Sequence, residues 1–247
     1  IAYSAMNLTN CLFDRNQAVG WICGGLVTWD HSATTVRNCT FGGNTGGGSG
    51  ALFNGYGDPD NSALTVVNSI CYGDTAPEIV AQAPATASVT YSDIQGGFTG
   101  TGNTSGNPNF INAAGGDLRI NTGSAALDTA TSSGAPATDI LGTPRPQGAG
   151  YDMGAYERDT TPPTIGIGSP SLAATNIGPV SFTITYGEAA AITLAPANVT
   201  LNKTGTANAT AIQVSGTGTA TRTVTLSGIT GDGALGISIA AGTATDT

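Results

Sequence analysis

The heptapeptide Asn10-Cys11-Leu12-Phe13-Asp14-Arg15-Asn16 returns as Asn38-Cys39-Thr40-Phe41-Gly42-Gly43-Asn44 and again as Asn68-Ser69-Ile70-Cys71-Tyr72-Gly73-Asp74. A weaker fourth copy reads Ser92-Asp93-Ile94-Gln95-Gly96-Gly97, and alternating apolar stretches place Leu8, Val36, Val66 and Val89 just before the four copies. Units of roughly 20 to 30 residues, without helical spacing and punctuated by Gly and Asn, fit the windings of a parallel β-helix. One winding of short strands cannot bury its own inner face. Windings stacked about 4.8 Å apart pair their backbones and bring like residues together. Asn10, Asn38 and Asn68 are then expected to bond amide to amide along the stack, with Cys11, Cys39 and Ser69 stacked beside them. A β-sandwich is an alternative, whereas a propeller blade needs roughly 40 or more residues.

Composition bears on what such a fold can bind. Only 9% of residues are charged, and 16 acidic residues against 7 scattered basic ones leave a net charge of −9. No basic stripe exists for nucleic acid or an anionic membrane. Apolar residues amount to 39% and fall in short β-branched clusters between Gly, Asn, Asp and Pro, which predicts many short strands and almost no helix. No apolar run of about eighteen residues could span a membrane, and a targeting segment, if the protein is exported, would precede residue 1. Four cysteines, Cys11, Cys23, Cys39 and Cys71, allow two disulfides in three pairings or a set of buried thiols. The absence of a CxxC pair and the single histidine, His31, argue against zinc.

Beyond Gly106 the repeat gives way to Gly106-Asn107-Pro108-Asn109-Phe110, Asp117-Leu118-Arg119-Ile120, Gly142-Thr143-Pro144-Arg145-Pro146 and Tyr151-Asp152-Met153-Gly154-Ala155-Tyr156-Glu157. This string resembles the C-terminal segment of bacterial extracellular right-handed β-helix proteins that precedes variable surface anchors, over about residues 90 to 157. The resemblance implies the closing windings and no catalytic role. A final winding exposes unpaired backbone and needs a cap, and a Pro- and Gly-rich segment with Tyr151 and Tyr156 is expected to cover it. Asp128, Asp139, Asp152 and Glu157 surround one base, Arg145, expected to act as a structural ion-pair and hydrogen-bond hub. The alternative for those four carboxylates is a calcium site, although their spacing is not that of an EF-hand loop. No other cofactor is expected.

Asp159-Thr160-Thr161-Pro162-Pro163-Thr164 reads as a stiff linker. Strands are predicted at 164–168, 180–186, 191–194 with 199–202, 211–215, 222–226 and 235–240, the spacing of an antiparallel sandwich. Gly178-Pro179-Val180-Ser181-Phe182-Thr183-Ile184-Thr185-Tyr186, Val199-Thr200-Leu201-Asn202-Lys203-Thr204-Gly205 and Ile229-Thr230-Gly231-Asp232-Gly233-Ala234-Leu235 resemble the tandem immunoglobulin-like repeats of bacterial surface proteins. In that family another strand follows a turn resembling Ala244-Thr245-Asp246-Thr247, so an open edge is expected here. The expected organisation is therefore all-β: residues 1–158 a parallel β-helix with its C-terminal cap, and residues 159–247 an immunoglobulin-like domain lacking its last strand.

Two functions follow as expectations. The first is a structural or adhesive extracellular or cell-surface protein, with filamentous assembly arising where a neighbour donates a strand to the open edge. Its partners would be copies of itself, other surface proteins or polysaccharide. The second is a carbohydrate-active β-helix enzyme whose catalytic windings precede residue 1. Hydrolases of this type need carboxylates about 5 Å or roughly 6.5 to 9.5 Å apart. The repeats offer Asp14, Asp30, Asp58, Asp60, Asp74 and Asp93 with Arg15, Arg37 and His31, mostly in turns, with Trp29-Asp30-His31 as the least ordinary grouping. Residues 53–61, an insert in the second copy, are the first candidate for ligand contact. No catalytic residue is assigned.

Overall fold

The computed structural model describes residues 4–55 and 61–245. Asp58 and Asp60, and with them most of the insert at 53–61, lie outside the described residues. The chain is all-β, with parallel and antiparallel sheets, and its only helical turns among the described residues are the 3-10 turns Ala113–Gly115 and Pro196–Asn198. It divides into two compact units, Ile1–Thr160 and Thr161–Thr247.

In the first unit each of the first three repeats contributes one strand to each of three parallel sheets. The first repeat supplies β1 (Ala5–Thr9), β2 (Leu12–Asp14) and β3 (Leu26–Thr28), and the second supplies β4 (Ala33–Arg37), β5 (Thr40–Gly42) and β6 (Leu52–Asn54). The third supplies β7 (Ala63–Val67), β8 (Ile70–Tyr72) and β9 (Ile79–Ala81), and the fourth only β10 (Thr86–Thr90) and β11 (Asp93–Ile94). The sheets run β1-β4-β7-β10, β2-β5-β8-β11 and β3-β6-β9.

Registers follow the apolar pattern without slippage. Leu8, Val36, Val66 and Val89 align, as do Phe13, Phe41, Cys71 and Ile94, and Leu26, Leu52 and Ile79. These rows face one shared core. A slip of one residue would turn every one of them to the opposite face. Phe13 and Phe41 stack with centroids 4.5 Å apart and planes 5° from parallel.

The fourth copy is shifted by one residue from the expected alignment: Thr90 pairs with Val67, so Tyr91, not Ser92, occupies the place of Asn68. That place is a left-handed corner, with φ of 52° at Asn10, 47° at Asn38, 53° at Asn68 and 48° at Tyr91. Asparagine tolerates this conformation better than most residues, and the tyrosine in the fourth copy hid the true register.

Residues after 106 fold back along the side of the stack to its first and second repeats, while Thr101 and Thr104 bond the fourth. The antiparallel hairpin β12 (Phe110–Asn112) and β13 (Asp117–Ile120) reaches the first repeat, where Arg15 Nη1 donates to Ala114 O at 3.1 Å. At the second repeat Leu118 packs on Gly42, where a Cβ would sit 2.6 Å from Leu118 Cδ1. Ile70, Ile120, Ala126 and Met153 form a second small core beneath the returning chain.

The second unit comprises β14 (Thr164–Pro170), β15 (Val180–Gly187), β16 (Ala191–Ile192), β17 (Val199–Lys203), β18 (Asn208–Ser215), β19 (Thr221–Thr230), β20 (Leu235–Ile239) and β21 (Ala244–Thr245). One four-stranded antiparallel sheet runs β14-β15-β19-β18, and β17-β20 and β16-β21 form two pairs. Val180, Phe182, Ile184 and Tyr186 alternate along β15 and share a core with Val224, Leu226, Val199 and Ile237. Ala244 and Thr245, expected in a turn, pair with Ile192 and Ala191 as a short strand.

The corner residues carry a stability prediction. Asn68→Ala keeps the left-handed corner without its favoured residue and orphans the buried partners of its amide, for an expected loss of about 3 kcal/mol. Asn10→Ala, at a half-buried corner with one side-chain bond, is expected to lose about 1 kcal/mol. Urea unfolding followed by fluorescence measures both, because the two tryptophans, Trp21 and Trp29, lie in the first unit.

Candidate functional site

Three side-chain ladders run along the first unit. In one, each backbone N–H donates to the side chain of the next repeat: Cys11 N to Cys39 Sγ at 3.4 Å, Cys39 N to Ser69 Oγ at 3.2 Å and Ser69 N to Ser92 Oγ at 3.1 Å. Each of those side chains donates in turn to the carbonyl two residues before it. In another, Ser4 N donates to Ser32 Oγ and Ser32 N to Ser62 Oγ, at 3.3 and 3.1 Å. All four cysteines are free thiols.

The amide ladder forms six residues later than expected. Asn16 Nδ2 donates to Asn44 Oδ1 at 2.8 Å, and Asn44 Nδ2 to Asp74 Oδ1 at 2.7 Å. Both backbone N–H groups reinforce it, Asn16 N to Asn44 Oδ1 and Asn44 N to Asp74 Oδ1 at 2.6 Å. Asn16, Asn44 and Asp74 close the repeated heptapeptide, so the signal lay in the sequence at its last position. Of Asn10, Asn38 and Asn68, only the last two bond each other, at 3.4 Å.

The corner asparagines hold the returning chain instead. Asn68 receives Thr131 N at 2.9 Å on its Oδ1 and donates to Thr131 O at 2.7 Å; Asn10 donates to Thr138 O at 2.7 Å. Asn38 donates to Asp152 O at 3.4 Å, and Arg37 Nη1 to Ser133 O at 3.0 Å. Residues 131 to 138 therefore climb from the third repeat to the first. The chain then descends, with Ala155 N donating to Thr40 Oγ1 at 2.9 Å and Gly154 N to Asn68 O at 2.8 Å. Gly154 has φ of 94°, and a Cβ there would lie 2.7 Å from Thr40 Oγ1 and 2.8 Å from Ile70 Cδ1.

Arg145 ties the strap to itself. Its Nη1 donates to Glu157 Oε2 at 2.6 Å and to Asp152 O at 3.1 Å, and its Nη2 to Gly154 O at 2.9 Å. Both charged side chains are fully enclosed. The four carboxylates do not converge on Arg145 as expected: Glu157 alone pairs with it. Asp128 Oδ1 accepts Gly150 N, and Asp139 accepts Leu141 N, Thr143 N and Glu157 N. Asp152 accepts Asp128 N and Arg158 N, each at 2.7 Å. Their oxygens are spent on loop backbone, and among the described residues no group of three or more acidic, histidine or cysteine side chains is arranged to hold a metal ion.

Other candidates are dispersed. Asp14 pairs with its neighbour Arg15 at 2.8 Å, and His31 Nδ1 lies 3.5 Å from Asp30 Oδ1 at an exposed corner beside the partly exposed Trp29. Two buried carboxyls stand out, Asp93 from the repeat candidates and Glu78, which sequence reasoning passed over. Glu78 accepts Asp74 N at 3.3 Å and lines a cavity of about 380 Å³ with Pro77, Ile79, Ile94 and Phe98. Neither oxygen of Asp93 has a hydrogen-bond partner. Burial first, then the neighbouring Asp74, pushes Glu78 from 4.5 up to about 8, and burial alone pushes Asp93 from 3.8 up to about 7. Burial also raises Asp152 to about 7; it raises Glu157 while bonds from Gln147, Asp152 and Arg145 pull the other way.

No family model, curated protein or solved structure matches the chain.

Two measurements follow. A raised carboxyl keeps its proton in the folded chain while the unfolded chain loses it, so stability is full below about pH 4 and falls as pH rises toward about 8. Denaturation midpoints at acid and mildly alkaline pH are expected to show that fall, and Glu78→Gln to flatten its upper half. Separately, Arg145→Met leaves Glu157 buried without its cation and is expected to cost about 3 to 5 kcal/mol. Adding Glu157→Gln should restore part of it in a double-mutant cycle.

Proposed function

We propose that this chain is part of an extracellular or cell-surface structural protein: a parallel β-helix with a side strap, followed by an immunoglobulin-like domain that assembles by accepting a strand from a neighbour. Three parallel sheets built repeat by repeat around one core support the β-helix. Antiparallel strands alternating around a second core support the immunoglobulin-like reading. A weakly charged, acidic composition suits an exported surface.

The observation that carries the assembly is an open seam. All seven residues of β14 are exposed, and among the described residues β14 pairs only with β15. Ile165 and Ile167 stand opposite Tyr186 and Ile184, which are 5% and 0% exposed, yet are themselves 47% and 44% exposed. β20 likewise has a partner on one edge only among the described residues. Between the end of β14 and the start of β20 lies a cavity of about 280 Å³ lined by Pro170, Leu172, Val180, Leu226, Ile229 and Leu235, without a charged residue. An unpaired edge of this kind takes an added strand through its backbone, with alternate apolar side chains entering the seam. Strand donation between copies is head to tail and builds filaments.

Sedimentation velocity of the chain over a range of concentrations tests this reading. Growing head-to-tail oligomers are expected, abolished by Ile167→Lys, which places a charge in the seam at a half-exposed position. A chain that stays monomeric at high concentration overturns it.

A further inference from the structure

Cys11 and Cys39 are register partners at the corner between paired strands: β1 and β4 align up to Thr9 with Arg37, and β2 and β5 resume at Leu12 with Thr40. Pairing on both sides holds the two Cα atoms near the ~4.8 Å spacing of neighbouring strands, inside the range of roughly 4.4–6.8 Å over which disulfides close. Cys39 Sγ lies 3.4 Å from Cys11 N, and the two thiols are oriented alike, each donating to the carbonyl two residues before it. Neither of the other cysteines has such a partner. Cys23 aligns with Ser49, and Cys71 with Phe41 and Ile94.

The ladder itself does not require sulfur. Serine fills the same position at Ser69 and Ser92 and makes the same two bonds. At this position of the ladder thiols stand only in the first two repeats, as Cys11 and Cys39, so the pair can close without disturbing the serines that continue it.

We propose that Cys11 and Cys39 form a disulfide site, through which oxidation by a small-molecule disulfide staples the first repeat to the second. The half-buried Cys11 is reached first. Its thiolate attacks one sulfur of oxidised glutathione, that sulfur–sulfur bond breaks, and one glutathione thiolate leaves. Cys39 gives its proton to solvent and attacks the Cys11 sulfur, expelling the second glutathione thiolate. The cysteine pair loses two electrons, and glutathione disulfide gains them. Burial holds the proton of Cys39, with its pKa pushed up to about 12, so the closing step is the slow one and quickens as pH rises.

The test treats the full chain with oxidised glutathione at mildly alkaline pH, alkylates the remaining thiols after denaturation, and maps the digest by mass spectrometry. Expected are a peptide pair joined through Cys11 and Cys39, alkylated Cys23 and Cys71, and a melting midpoint several degrees above that of the reduced chain. Cys11→Ser and Cys39→Ser, which keep the ladder as serine does in the later repeats, should melt like the reduced chain and lose the cross-link, while Cys23→Ser keeps it. A stable glutathione adduct on Cys11, a link between any other pair, four free thiols at saturation, or a lowered midpoint overturns the proposal.

Discussion

Backbone pairing between equivalent residues of successive repeats is the constraint from which the first unit is built. It sets one register for three sheets at once, because every strand of a repeat is displaced by the same spacing from its counterpart. Once Val36 lies beside Val66, Phe41 must lie beside Cys71 and Leu52 beside Ile79, so a single core fills from three directions. The polar ladders obey the same rule. A donor at one repeat finds its acceptor at the next because identical positions recur, which satisfies buried N–H groups that a corner would otherwise leave without partners.

The second unit rests on a different balance. Its four-stranded sheet commits the alternating face of β15 to a core, yet its edge strand β14 stays exposed along its whole length. An apolar edge of this kind invites association. Most proteins blunt such edges with charge, and the lining between β14 and β20 has none. The first unit, by contrast, pairs its strands repeat to repeat through all three sheets.

Much of the first unit was legible because side chains mark its period. Leu8, Val36, Val66 and Val89 carry the pleat, and the corner asparagines carry a backbone conformation that few residues accept. The fourth register was misplaced by one residue because Tyr91 adopts that conformation without advertising it. The path of the strap was hidden for another reason: its anchors are the carbonyls of Thr131, Ser133 and Thr138, and a carbonyl leaves no trace in residue identity. Arg145 could be singled out as the one base among acids, but which acid it meets depends on loop geometry. The amide ladder was missed although Asn16, Asn44 and Asp74 were in view, since three asparagines at the opposite end of the same motif competed for the role.

The strap also measures. Between Thr131 and Thr138 it touches the third, second and first repeats in turn, over a stretch whose length is fixed by its own residues. Solenoids ordinarily grow or shrink by whole repeats, since each touches only its neighbours. Here an added repeat between Asn38 and Asn68 would separate two anchors by a further ~4.8 Å that the eight residues from Thr131 to Thr138 must span. This stretch of chain acts as a gauge, and the number of windings it spans cannot drift without redrawing the strand of peptide that counts them.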